Sequence, residues 1–162
     1  MTEHDPTWPL GVLRVAEALQ TCEPVAEPFM LESDARTAQE AADALGVALG
    51  QIAKSVVFRR LADDAPVLVM TAGDRRVDEK KVATLIGPVG KADAQFVRSR
   101  TGFVIGGVAP VGHLTPPMAL LDASLQRFSR IWAAAGHPRA LVALSPPLLE
   151  ALTGAPWAEV TA

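Results

Sequence analysis

The apolar positions of this 162-residue chain change period several times. Val12, Leu13, Val15, Ala16 and Leu19 fall on roughly one helical face, which predicts a helix over 11–20. Two prolines break the pattern over 22–28, and 25–31 reads as a short strand. Thr37 and Glu40 form a T-x-x-E capping box, and Gly46 supplies a left-handed stop, so a helix lies between them. After a turn over 50–53, the runs 55–60 and 66–71 read as two strands joined by a hairpin loop over 61–65. Asp78 caps a helix that ends before Gly87 and Pro88, and Asp93 caps another that ends at Gly102. The span 103–117 has no period. A strand over 118–121, a helical turn over 124–128, and strands over 131–134 and 140–144 follow. Ser145, Pro146 and Gly154 bracket a last helix, with 157–160 as an edge strand. No repeat or linker interrupts the series. Strands and helices alternate irregularly, and some strand pairs are close enough to be hairpins, which points to an α+β domain with a mixed sheet.

Composition narrows the function classes. Nearly half the residues are apolar, and the length favours a single domain, 1–162, with a real core. One cysteine, Cys22, excludes an internal disulfide framework and a multi-cysteine metal site. No apolar run reaches the length of a membrane span, and the first ten residues do not read as a secretory signal, so a cytoplasmic protein is expected. The net charge of −3 hides an asymmetry. Residues 1–50 carry nine acids and two bases (−7), 51–100 carry ten bases and six acids (+4), and 101–162 carry three of each. Such a split hints at an anionic partner, and equally suits an ordinary mixed surface.

The usual catalytic signatures are missing: no G-x-G-x-x-G, no G-x-x-x-x-G-K-[ST] and no G-x-S-x-G. His4, His113 and His137 have no metal-ligand spacing, and Cys22 reads as a buried free thiol. Three segments remain. Lys54 enters an apolar strand, either as a snorkelling edge residue or as a fixed charge for a phosphate or carbonyl. The stretch Gly106-Gly107-Val108-Ala109-Pro110-Val111-Gly112-His113 is either a tight turn or a loop offering backbone N–H groups to an oxyanion. Asp122 ends a strand, where a helix cap is the simplest use.

Taken in order, Thr37-Ala38-Gln39-Glu40-Ala41-Ala42, Ile52-Ala53-Lys54-Ser55, Ala72-Gly73-Asp74, Gly106-Gly107-Val108-Ala109-Pro110, Leu121-Asp122-Ala123-Ser124-Leu125, Ala135-Gly136 and Leu144-Ser145-Pro146 resemble the YbaK/EbsC family. These aminoacyl-tRNA deacylases are related to the editing domain inserted in bacterial prolyl-tRNA synthetase. The resemblance covers about 37–160. It implies a compact α+β domain around a mixed, barrel-like sheet surrounded by helices. It also implies a freestanding trans-editing enzyme that cleaves the ester of a mischarged tRNA, tRNA(Pro) or a related one, carrying a small wrong amino acid. Other readings of the same fold are a non-catalytic tRNA- or synthetase-binding module and a small-molecule binding protein.

By resemblance, Lys54 matches the family's active-site lysine and Gly106 its substrate-contacting glycine. Asp122 matches an acidic or polar pocket position, and Ser55 a Ser/Thr position after the lysine. The implied mechanism has Lys54 anchoring the terminal phosphate or ribose, and N–H groups around Gly106 and Gly107 holding the carbonyl. Asp122 lies near the α-amino group or orients water. No metal or other cofactor is implied. Phe29, Ile52 and Val108 shape the side-chain pocket, with Ser55, Pro110 and His113 as further candidate contacts. Phe29 stands nearest the place where some members carry a tyrosine, a residue this chain lacks. Arg59, Arg60, Arg75, Arg76, Lys80 and Lys81 are candidates for tRNA phosphates. An aminoacyl-tRNA and a synthetase are the implied partners.

Overall fold

The computed structural model describes residues 4–23 and 25–162, so Pro24 lies outside the described residues. The elements are α1 (Leu10–Leu19), β1 (Phe29–Met30), α2 (Ala38–Leu45), β2 (Ile52–Arg60), β3 (Pro66–Ala72), α3 (Glu79–Ile86), β4 (Val89–Lys91), α4 (Ala94–Thr101), β5 (Met118–Asp122), β6 (Ile131–Ala134), β7 (Ala140–Leu144), α5 (Pro146–Thr153) and β8 (Trp157–Ala158). Short 3-10 turns occupy Leu49–Gln51 and Ala123–Arg127. Local chemistry sets the helix ends as the sequence predicts. Thr37, Asp78, Asp93 and Ser145 each accept a first-turn N–H through the side chain. The predicted strand over 25–31 shrinks to the two residues of β1, and the three-residue β4 had no alternating pattern to announce it.

The strands form one mixed, eight-stranded sheet in the order β1-β7-β6-β2-β3-β5-β8, with β4 paired to β2 off that path. β1 and β8 end this order and do not pair with each other, so the sheet is open where a barrel would close. β3 is buried throughout between antiparallel β2 and parallel β5, which suits its unbroken run PVLVMTA.

Alternation divides the side chains between two faces. On one face, Val12, Val15 and Leu19 of α1, Val97 of α4 and Leu149 of α5 pack over Leu68, Met70, Leu121 and Ala133. The opposite face carries two smaller clusters. α2 covers Ile52 and Leu141 through Ala41 and Ala42, and α3 covers Phe58, Val67 and Val69 through Val82. Lys54 shares the face of Ile52 and Phe58 and belongs to neither cluster, so it lies between the two covers.

Candidate active site

β2 is bordered on one edge by two strands in succession. β6 runs parallel to it through Ile52↔Trp132 and Ala53↔Ala133. β4 pairs with it from Phe58 to Arg60. Between these ladders the edge of β2 is open over 54–57, and β6 turns away into its hairpin with β7. The wedge left where two parallel strands part is a common ligand position. A cavity of about 300 Å³ fills it, walled by Ile52, Ala53, Lys54, Ser55 and Val56, by Ile105, Gly106 and Val108, by Ala134 and Leu141, and by the start of α2 with Arg36 and Thr37.

Lys54 supplies the charge. Its ammonium makes no ion pair or hydrogen bond among the described residues. Partial burial pulls its pKa below that of a free lysine; nearby Asp74 opposes the shift and Arg76 adds to it. Asp74 is held by Arg127 in a two-pronged pair, 2.7 Å and 3.1 Å, which keeps its carboxyl below the usual range. Asp74 is therefore occupied by Arg127, and Lys54 is left with charge to offer an incoming anion. Thr71, the cross-strand partner of Lys54, is fully buried, and its hydroxyl has no hydrogen-bond partner.

The glycine loop has two different requirements. Gly106 lies at φ +90°, a conformation that L side chains rarely adopt, and it lines the cavity beside Arg36. Gly107 is needed for closeness: a Cβ there would sit 2.9 Å from the Cα and N of His137. Its N–H donates to Val104 O (2.9 Å), and its carbonyl accepts from Gly136 N–H (3.0 Å). The N–H of Gly107 is thus spent inside the turn and does not face an oxyanion, as the sequence had suggested.

Of the predicted site residues, Lys54, Ser55, Ile52, Gly106 and Val108 meet at this cavity, and the others lie elsewhere. The hydroxyl of Ser55 donates to Met70 Sδ (3.1 Å). Phe29 packs in the α2 cluster and does not line the cavity. Pro110 and His113 line a second, larger cavity of about 620 Å³, together with Cys22, Leu148 and Leu152. That cavity contains neither Lys54 nor Gly106. In it His113 Nε2 meets Ala109 O at 2.6 Å, and burial holds its pKa below the ordinary histidine value.

Asp122 is 1 % exposed, and its carboxylate is committed to the fold. It accepts from Val160 N–H (2.9 Å) and Ser124 N–H (3.1 Å), with Thr161 Oγ1 at 3.4 Å. These bonds tie β5 to the C-terminal segment, outside the Lys54 cavity. Asp122→Ala strands the buried N–H of Val160 and the half-buried N–H of Ser124. It should cost about 1–3 kcal/mol in denaturant unfolding, while kcat of the folded fraction stays within twofold of the parent. A large kcat loss at unchanged stability would return Asp122 to the reaction.

The basic residues also separate. Arg59 pairs with Asp64 and Arg60 with Asp63 at the β2–β3 hairpin, and Lys81 donates to Thr161 O. Arg75, Arg76 and Lys80 are exposed. Arg76 is near enough to Lys54 to help lower its pKa, but neither Arg75 nor Arg76 lines the cavity. Sequence reasoning missed Arg36, Thr37 and Ile105. Arg36 and Thr37 immediately precede α2, and the cap signal there marks a helix start without showing what lies above it.

Among the described residues, no helix is long and apolar enough to cross a membrane. The model for the aminoacyl-tRNA editing domain matches residues 32–152. An uncharacterized protein of Bacillus subtilis, YwhH, is 36% identical over 116 residues, 71% of this chain and 73% of that one. A candidate Cys-tRNA(Pro)/Cys-tRNA(Cys) deacylase of Enterococcus faecalis, EbsC, is 28% identical over 82% of each chain. The crystal structure of a candidate trans-editing enzyme for prolyl-tRNA synthetase superposes with a TM-score of 0.89 at 41% identity, covering 96% of this chain and 99% of that one. The proline–tRNA ligase of Thermodesulfovibrio yellowstonii is 33% identical over 92 residues, which span 16% of that enzyme.

Proposed function

Since the chain belongs to the aminoacyl-tRNA editing domain family, we propose that it is a freestanding deacylase acting on a mischarged tRNA, with tRNA(Pro) or a related tRNA as carrier and a small amino acid as the error. The observation that carries this reading is that the ammonium of Lys54, unpaired among the described residues, lines the 300 Å³ wedge together with Gly106. A synthetase pocket separates amino acids that differ by one methylene by only about 1–3 kcal/mol, so a second, smaller sieve has work to do. The wedge is at the small end of ligand cavities, and apolar side chains such as Ile52, Val56, Val108 and Leu141 line it.

An aminoacyl ester is already activated, so holding and polarising it supplies most of the rate. Lys54 meets the terminal phosphate or ribose. The acyl group lies in the wedge that Gly106 helps to line. Water adds to the acyl carbon, the bond from acyl carbon to ribose oxygen breaks, and that oxygen takes a proton from the water. Free amino acid and tRNA leave. Asp122 has no part in this scheme because its oxygens are committed elsewhere.

The test is a panel of mischarged tRNAs in which each rate is compared with the buffer rate. Cleavage of at least one small aminoacyl ester well above buffer supports the reading, and none above buffer ends it. Beyond Arg36 in the cavity wall, the exposed Arg75 and Arg76 are the candidate bases for the acceptor stem, Arg76 being near enough to influence Lys54. Arg75→Glu with Arg76→Glu should raise KM severalfold, leave kcat nearly unchanged and flatten the dependence of log(kcat/KM) on log salt. An unchanged salt slope removes this turn from the tRNA face.

A further inference from the structure

The open edge of β2 has a defined polarity. In a strand, the N–H and C=O of one residue point to the same edge, and successive residues alternate. Ile52 C=O accepts from Gly73 N–H (2.7 Å), on the β3 side. Leu61 N–H donates to Pro88 O (2.9 Å), on the β4 side. Even-numbered residues of β2 therefore address β3, and Ala53, Ser55, Val57 and Arg59 address the opposite edge. On that edge the ladder to β6 ends at Ala53 and the ladder to β4 begins at Phe58. Ser55 falls between them. Its N–H and C=O face the wedge, and no hydrogen bond among the described residues uses either. Ser55 lines the cavity while its hydroxyl is engaged with Met70, so its contribution there is its main chain.

A main-chain donor and acceptor left beside a cavity need a partner. The α-aminoacyl group of an ester matches them. It carries an N–H donor and a C=O acceptor on the two atoms flanking one α-carbon, the spacing of a strand residue. We infer that the main chain of Ser55 recognises the α-aminoacyl group of the substrate, which docks on the open edge of β2 as a single added strand residue. The inference rests on the deacylase reading above. Ser55 C=O accepts from the α-ammonium, and Ser55 N–H donates to the acyl carbonyl. Recognition of the free α-amino group then comes from backbone, and the surrounding apolar walls are left to select the side chain.

The experiment uses one tRNA carrying three esters: an amino acid the protein removes, its N-acetyl derivative, and the α-hydroxy acid made by deaminating it. Each enzymatic rate is divided by the buffer hydrolysis of the same ester. Both altered esters should lose about tenfold or more in kcat/KM, the expected scale for a hydrogen bond to a charged group. The α-hydroxy ester is nearly isosteric, so an undiminished rate on it overturns the inference even if the bulkier acetyl group blocks entry. A second arm replaces Ser55 by its α-hydroxy acid analogue, which exchanges only that N–H for an ester oxygen. The expected result is about a tenfold loss of kcat/KM with the far-UV spectrum retained, and an unchanged kcat/KM overturns the N–H contact. Cleavage without discrimination among the three esters removes this inference alone. Failure to cleave any aminoacyl-tRNA removes the deacylase reading and this inference with it.

Discussion

Lys54→Ala should lower kcat/KM on a cleaved aminoacyl-tRNA by about 100-fold or more, and should leave the melting temperature unchanged or slightly higher. The first half follows from removing a preorganised charge, a loss on the scale of an oxyanion-hole donor. The second half follows from the sign of its pKa. Burial depresses the pKa of Lys54, so the fold disfavours the charged form. That cost is present in full below the folded pKa and is relieved as pH rises toward the unfolded value of 10.5. Alanine removes it at every pH. The same sign governs catalysis: rate divided by buffer hydrolysis should fall on an alkaline limb below 10.5. Asp74→Asn should move that limb lower, because Asp74 supports the charge. Full activity in Lys54→Ala, or a limb that ignores Asp74, would show that the ammonium is not the anchor.

Gly107→Ala carries the second large effect. The added methyl would meet three backbone atoms of His137 at 2.9–3.0 Å, and backbone cannot swing aside as a side chain can. The 104–107 turn must lift from the Gly136–His137 turn, breaking the bond from Gly136 N–H to Gly107 O. Overpacking of this kind costs about 1–3 kcal/mol. For a chain of this size each kcal/mol lowers the melting temperature by roughly 2–4 °C. Because Gly106 moves with the turn, kcat/KM should fall by about tenfold or more even in the folded fraction. Gly106→Ala is a useful contrast. Its methyl would meet only Arg36, at 3.5–3.6 Å, so the penalty is torsional, from φ +90°, and smaller. Equal melting temperatures for Gly107→Ala and the parent would contradict the close approach.

The helix ends were legible because their causes are local. Thr37, Asp78, Asp93 and Ser145 cap within three residues of themselves, and Gly46, Gly102 and Gly154 stop helices at positive φ. Lys54 and Gly106 were legible for a different reason: a charge entering an apolar strand and a Gly-Gly step are unusual in themselves. The residue pattern read Asp122 as a cap, which it is for Ser124, while the resemblance put Asp122 and His113 in the pocket, and neither lines the Lys54 cavity. A carboxylate at a strand end looks alike in sequence whether it faces substrate or, as here, ties Ser124 and Val160. Gly107 looked like a donor because a glycine allowing close approach and a glycine freeing an N–H have the same letter.

The sequence by itself determined the helix caps, most of the element order and the family, and it marked Lys54 and the Gly106–Gly107 step as unusual, because each of these signals lies within a few consecutive residues. Only the tertiary structure decided that β6 leaves β2 after Ala53 and that β4 rejoins it at Phe58. That choice opens the wedge, points the main chain of Ser55 into it, and brings Arg36 and Thr37 to its rim. No local pattern encodes it, because the strands that make and end the ladder are separated from β2 by up to about eighty residues of chain, and which neighbour a strand edge keeps is settled by packing on both faces of the sheet.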